Sequence, residues 1–158
     1  MSKVAEELVE ILAKRGESVT FAESCTAGLV AATFCEVAGA SKVFRGSIVS
    51  YANEVKRDFL GVSDEVLNGV GAVSRECVEA MAIGAAKAFR AQLAVSVSGV
   101  AGPSGGTPAK PVGCVFIAVF YNGQTRVVKC NFSGDRQAVR SQSVQTALQT
   151  ALLVLNEN

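Results

Sequence analysis

The sequence predicts an α/β domain in which helices cover a mixed β-sheet. Three observations predict it. Helical apolar spacing alternates with short β-branched runs along much of the chain. Leu93–Val100 is a near-continuous apolar run, as a strand at the centre of a sheet requires. Asn122-Gly123 separates two further strand-like runs, a strong hairpin signal that adds antiparallel pairing. With 158 residues, 49% apolar and only 18% charged, the chain suits a single folded domain over residues 1–158 rather than disorder.

The elements follow in order. Val4, Leu8, Ile11 and Leu12 repeat at helical spacing, and Lys14 and Arg15 precede Gly16, a basic last turn and a glycine stop. Ser18–Ala22 reads as a short strand. Thr26–Val37 is apolar nearly all round, which predicts a buried helix. Gly39-Ala40-Ser41 is a turn. Val43–Ala52 is rich in β-formers and reads as a strand, weakened by Gly46. Asn53 is placed to cap a helix over Glu54–Leu60 that Gly61 ends. Ser63-Asp64-Glu65 opens a short helix. Ser74 is placed as the N-cap of a long helix to about residue 91, with Val73 and Val78 as a hydrophobic staple. Gly99–Gly113 is one long irregular stretch, and such loops are often functional. Strands over Val112–Tyr121 and Thr125–Phe132 flank the hairpin turn. Ser133 or Asp135 begins a last helix from Arg136 to about Leu155.

Composition narrows the function classes. A net charge of +1 with no basic run gives no footprint for nucleic acid. No apolar stretch is long enough to span a bilayer, and Met1–Glu10 carries acids early without a signal-peptide core. A cytoplasmic location is expected. The five cysteines lack C-x-x-C spacing, and there is no histidine. Neither a disulfide framework nor a structural zinc site is supported. No metal and no cofactor are expected. A homo-oligomer is expected, because a small apolar-rich domain has surface to cover.

Four groups could carry chemistry. Ser24 lies in Ala22-Glu23-Ser24-Cys25-Thr26-Ala27-Gly28, where a strand gives way to a helix. A serine hydroxyl needs a base before it attacks, and without imidazole the leading candidate is a lysine. Backbone N–H groups at a helix start would favour a developing oxyanion. The plainer reading is that Ser24 or Thr26 caps the helix. Lys56 follows in Tyr51-Ala52-Asn53-Glu54-Val55-Lys56, and it serves as a base only with a lowered pKa. An ordinary surface lysine is the alternative, and Lys42, Lys87 and Lys110 are rivals. In the Gly99–Gly113 loop, Gly99 and Gly102 would let backbone approach a ligand. The loop fits neither the Walker A nor the dinucleotide pattern, and a mobile surface loop is its plain reading. Arg136, one turn ahead of Arg140, could clamp a phosphate or stand in solvent. Arg45, Tyr51 and Asn53 are further polar candidates.

Ala22-Glu23-Ser24-Cys25-Thr26, Gly39-Ala40-Ser41, Tyr51–Lys56, Gly71-Ala72-Val73-Ser74, Ser98–Pro103, Lys110–Gly113 and Ser133–Arg136 together resemble the C-terminal domain of the competence/damage-inducible protein CinA. The resemblance covers nearly the whole chain in the right order. It implies a three-layer α/β/α sandwich. Stand-alone members of that family are nicotinamide mononucleotide deamidases, so it implies hydrolysis of that carboxamide to nicotinic acid mononucleotide and ammonia. The family's Ser/Lys pair falls on Ser24 and Lys56, acting through an acyl-enzyme. Cys25, Thr26 or the glycine loop would supply oxyanion donors. Arg45, Lys110, Arg136 and Arg140 are the candidates for the phosphate.

Two positions depart from the family pattern. Ala27 replaces a glycine, and alanine is disfavoured at positive φ, so that position is expected to be helical or the turn altered. Ala52 stands where a small hydroxyl residue is common. The competing reading, kept alive by Ala27, is a nucleotide-binding or protein-interaction module without catalysis.

Overall fold

The computed structural model describes residues 2–158; Met1 lies outside them. Five strands form one sheet: β1 (Val19–Glu23), β2 (Phe44–Val49), β3 (Leu93–Gly99), β4 (Cys114–Tyr121) and β5 (Gln124–Asn131), in the order β2-β1-β3-β4-β5. β1 pairs parallel with both β2 and β3, whereas β4 runs antiparallel to β3 and β5 antiparallel to β4. The sheet is therefore mixed, as the sequence predicts. Seen from the chain, β1 and β3 are crossover strands and β4–β5 a hairpin. Its turn residues Asn122 and Gly123 both have positive φ, 51° and 75°, the geometry the Asn-Gly pair favours.

Helices lie on both faces. α1 (Ser2–Arg15), α2 (Leu29–Cys35) and α6 (Arg136–Asn156) bury one face, and α3 (Asn53–Leu60), α4 (Asp64–Asn68) and α5 (Arg75–Phe89) the other. Strand alternation sends different residues to each side. Phe21, Val95, Val97, Ile117 and Val119 pack beneath α1, α2 and α6. Ala22, Ala94 and Ala118 face α5, whose own inner face carries Ala82, Ala85 and Ala86. Small residues on both surfaces let α5 lie close to the sheet. Ser96, also buried, donates its hydroxyl to Val78 O at 2.5 Å and so closes the same seam.

The close approach continues outward to α3. A Cβ on Gly84 of α5 would lie 1.9 Å from Leu60 O, so only glycine allows α3 to end where it does. Gly61 then stops α3 at φ 71°. α3 carries Lys56, and this crossing fixes its depth.

Several boundaries differ from the sequence reading. The helix expected from Thr26 starts at Leu29, after a turn over residues 24–28. α2 is not buried all round: Val30 and Phe34 are buried, Ala32 and Cys35 exposed, because a short outer helix needs one apolar stripe only. Ala27 is neither helical nor refolded; it takes φ 48° itself. Asn53 is the first helical residue of α3 and not its cap, which is Ala52. Ser74 and Asp135 do cap α5 and α6, accepting from Cys77 N at 3.2 Å and Ala138 N at 2.8 Å. β2 ends at Val49, short of Ala52, so Ser50 and Tyr51 leave the sheet.

Candidate active site

The site lies at the C-terminal ends of β1 and β3, where parallel strands leave a crevice for ligands. Ser24 follows β1 directly, and its N–H reaches Val97 O at 2.9 Å, extending the β1–β3 pairing by one residue. The chain then turns sharply. Ala27 N bonds to Ser24 O at 3.0 Å and Leu29 N to Thr26 O at 3.0 Å, with Ala27 and Gly28 both left-handed. The turn, not a helix, presents the Ser24 hydroxyl.

Lys56 reaches the hydroxyl from the other side. It sits on α3 with 1% of its surface exposed. Its Nζ donates to Ser24 Oγ at 3.1 Å, to Ser50 O at 2.6 Å and to Tyr51 O at 3.0 Å. The two carbonyls are available because the chain leaves β2 at Ser50, whose N–H bonds to Glu23 O at 2.8 Å. Burial pushes the Lys56 amine below its ordinary value, since the charged form loses its water. Beside it, the Cys77 thiol of α5 is pushed up to about 11 by burial and stays neutral. Cys25 shares the turn with Ser24, yet burial pushes its thiol up to about 11 as well. A thiol held in that state is a poor rival to Ser24 at neutral pH.

Glu23 is the residue that sequence reasoning missed. It is fully buried next to Ser24. Its carboxylate accepts from Gly28 N and Val30 N at 3.0 Å each and from Ala31 N at 2.9 Å. The N-terminus of α2 is thus capped by the chain's own carboxylate, and those N–H groups are not free for an oxyanion or a phosphate. The N–H groups of Cys25 and Thr26 make no backbone hydrogen bond among the described residues. Thr26 Oγ1 is buried and likewise unpartnered there. The available signal for Glu23 was an acid at the end of a strand, just ahead of a glycine turn and an apolar helix.

The other candidate residues separate into near and far. Arg140 donates from Nε to Cys25 O at 3.1 Å and from Nη2 to Thr26 O at 2.9 Å. Arg136 donates to Gly102 O at 2.9 Å and to the Tyr51 hydroxyl at 3.0 Å, tying the glycine loop to the segment that holds Lys56. Both arginines line a cavity of about 540 Å³ that also includes Leu29 at the start of α2. Gly102 is buried with φ 83°. Gly99 ends β3, where a Cβ would meet Cys114 O at 2.8 Å; strand packing alone explains it.

Lys110, Asn53 and Arg45 do not join this group. Lys110 donates to Val70 O and lines a separate depression with Val73 and Phe116. Asn53 is exposed and lines a shallow hollow with Arg57 and Asp64. Arg45 lies at the far end of β2: its neighbours pair with Val19 and Thr20, while Glu23 pairs with Val49. That is about 13 Å along the strand at the usual rise per residue. Among the described residues, no group of three His, Cys, Asp or Glu could hold a metal ion, and no helix is long and apolar enough to cross a membrane.

The fold is an α/β/α sandwich, and the buried amine–hydroxyl contact lies at the C-terminal ends of its parallel strands. The chain belongs to the CinA C-terminal domain family, whose model matches residues 1–155. It is 50% identical over 138 residues to a CinA-like protein of Fervidobacterium nodosum, covering 87% of this chain and 34% of that protein. The chain thus spans about a third of such relatives. It is 47% identical over 151 residues to the nicotinamide-nucleotide amidohydrolase PncC of Escherichia coli K12, covering 95% of this chain and 92% of that protein. A crystal structure of the competence/damage inducible protein CihA from Agrobacterium tumefaciens superposes with a TM-score of 0.94 at 41% identity, covering 98% and 94% of the two chains.

Proposed function

We propose that this chain is an amidohydrolase that converts nicotinamide mononucleotide to nicotinic acid mononucleotide and ammonia. The observation that carries the chemistry is the 3.1 Å contact between a fully buried lysine amine and the Ser24 hydroxyl. The substrate is supported by the similarity to PncC along nearly the full length of both chains.

In the neutral form, Lys56 has two N–H bonds and one lone pair. The N–H bonds satisfy Ser50 O and Tyr51 O, which leaves the lone pair directed at the Ser24 proton. Ser24 Oγ attacks the carboxamide carbon as Lys56 takes its proton. The N–H groups of Cys25 and Thr26 hold the oxyanion. The carbon–nitrogen bond then breaks, and Lys56 returns the proton to the departing ammonia. Water attacks the resulting nicotinoyl ester, again losing its proton to Lys56, and Ser24 recovers that proton as it leaves. No metal or cofactor takes part.

The nucleotide lies in the cavity beside α6, with its phosphate towards Arg136, which keeps donors beyond the two it commits to protein. Tyr51, with its ring exposed, stands beside that arginine and accepts from it through its hydroxyl. The chain acts in the cytoplasm as a single-domain homo-oligomer, a state that light scattering would measure. Ala27 gives the non-catalytic alternative no support, since it keeps the left-handed turn that glycine would adopt.

The test is ammonia release from nicotinamide mononucleotide by the wild type, Ser24→Ala and Lys56→Ala. Both variants should lose nearly all turnover while folded, and added chelator should change nothing. Undiminished turnover in Ser24→Ala would remove the nucleophile assignment.

A further inference from the structure

The five-residue turn that presents Ser24 carries more fixed charge than a turn needs. The Glu23 carboxylate accepts from the N–H groups of Gly28, the last residue of the turn, and of Val30 and Ala31 in the first turn of α2, all within 3.0 Å. The Arg140 guanidinium donates to the carbonyls of Cys25 and Thr26 from a single fork. The first group holds the end of the turn and the second holds its middle. Between them lies Ala27 at φ 48°, a conformation costly for a residue with a Cβ. A turn with that strain relaxes unless its surroundings fix it. Relaxation would swing the Cys25 and Thr26 peptide planes and move Ser24 Oγ relative to Lys56 Nζ.

We propose that Glu23 and Arg140 are positioning residues that hold the nucleophile turn at two points, so that Arg140 acts on the Cys25 and Thr26 peptides and is not the phosphate anchor. The inference rests on Ser24 being the nucleophile proposed above, and it divides the arginines between two tasks. Arg136 donates its two bonds to Gly102 O and the Tyr51 hydroxyl, off the turn; Arg140 donates both of its to carbonyls of the turn itself. Glu23 also neutralises the partial positive end of α2, so a substrate phosphate finds no attraction there. Gln in place of Glu23 keeps the volume but turns an amide N–H₂ towards at least one backbone donor, and the charge is lost.

The experiment uses the full chain with Glu23→Gln and Arg140→Met, each checked for folding by thermal unfolding. Two readouts are taken: kcat and KM on nicotinamide mononucleotide, and the rate of Ser24 labelling by a small alkyl fluorophosphonate, followed by intact mass with Ser24→Ala as the blank. For both variants, kcat and the labelling rate should fall together by about 10-fold or more, with KM within about 3-fold of wild type. An arginine that binds phosphate would instead raise KM and leave labelling by the phosphate-free-site probe untouched, which would overturn the assignment for Arg140. A folded Glu23→Gln variant with wild-type kcat and labelling would overturn it for Glu23. Should Glu23→Gln not fold, Glu23→Asp and Arg140→Met carry the same comparison. Wild-type protein that labels at Ser24 without releasing ammonia from the nucleotide would sink the substrate and leave the labelling comparison decisive. Wild-type protein that does neither would remove both proposals.

Discussion

Ser24 and Lys56, the proposed nucleophile and base, are held by different physics. Ser24 sits on an irregular turn whose N–H group at Gly28 donates to Glu23 and whose carbonyls at Cys25 and Thr26 accept from Arg140. Lys56 sits on a regular helix whose depth depends on contact, above all the Gly84–Leu60 crossing between α5 and α3. The contrast follows from what each group must do. A hydroxyl must be aimed, and directional bonds aim it. An amine must be dried to lose its charge, and close packing excludes the water.

Breaking the base itself should have the largest effect. Lys56→Met keeps much of the volume but removes the amine, and kcat should fall by about 10³-fold or more in steady-state ammonia release. A folded variant within 10-fold of wild type, roughly the limit of a minor role, would exclude Lys56 as base. Next comes its packing. Gly84→Ala places a methyl where Leu60 O now lies, so α3 must shift. Overpacking of this kind costs about 1–3 kcal/mol, measurable by denaturant unfolding, and kcat should fall with it.

The pH dependence sharpens the same contrast. Burial lowers the folded-state pKa of Lys56 below the ordinary 10.5, so the unfolded chain holds the proton to higher pH. Between the two values the unfolded state binds more protons, and stability rises with pH. Wild type should therefore gain stability relative to Lys56→Met as pH increases through that window, followed by thermal unfolding of both. A flat difference would mean the amine is not desolvated. kcat should rise with pH up to the lower of those two values, as the base becomes neutral, and level off above it. The smallest effect belongs to the turn. Ala27 is exposed, so Ala27→Gly loses little packing and relieves the φ 48° strain, for a gain of about 0.5–1 kcal/mol in chemical denaturation.

Much of the framework is legible in the residues, because it rests on local signals. Asn122-Gly123, Ser74, Asp135 and Gly61 each mark a turn or a helix end by their own chemistry, and the structure uses each there. The start of α2 is not legible. Thr26, Ala27 and Gly28 fit a helical pattern by hydropathy, and the cap that delays the helix is a side chain preceding the turn, Glu23. The end of β2 is lost for another reason: Ser50 N–H still bonds to Glu23 O, continuing the pairing one residue past Val49, and no residue near Tyr51 marks where the strand stops. The site divides along the same line. Ser24 stands out by its place between strand and helix. The burial of Lys56 depends on Gly84, 28 positions along the sequence (84 − 56), which no local window contains.

Both oxygens that orient the Lys56 amine, apart from the serine itself, belong to peptide groups of residues 50 and 51. Exchanging either side chain leaves those acceptors in place. The two acceptors are therefore supplied by the route of the backbone; the exposed ring of Tyr51 can change without removing its carbonyl, whereas Ser50 is fully buried and its side chain is constrained by packing.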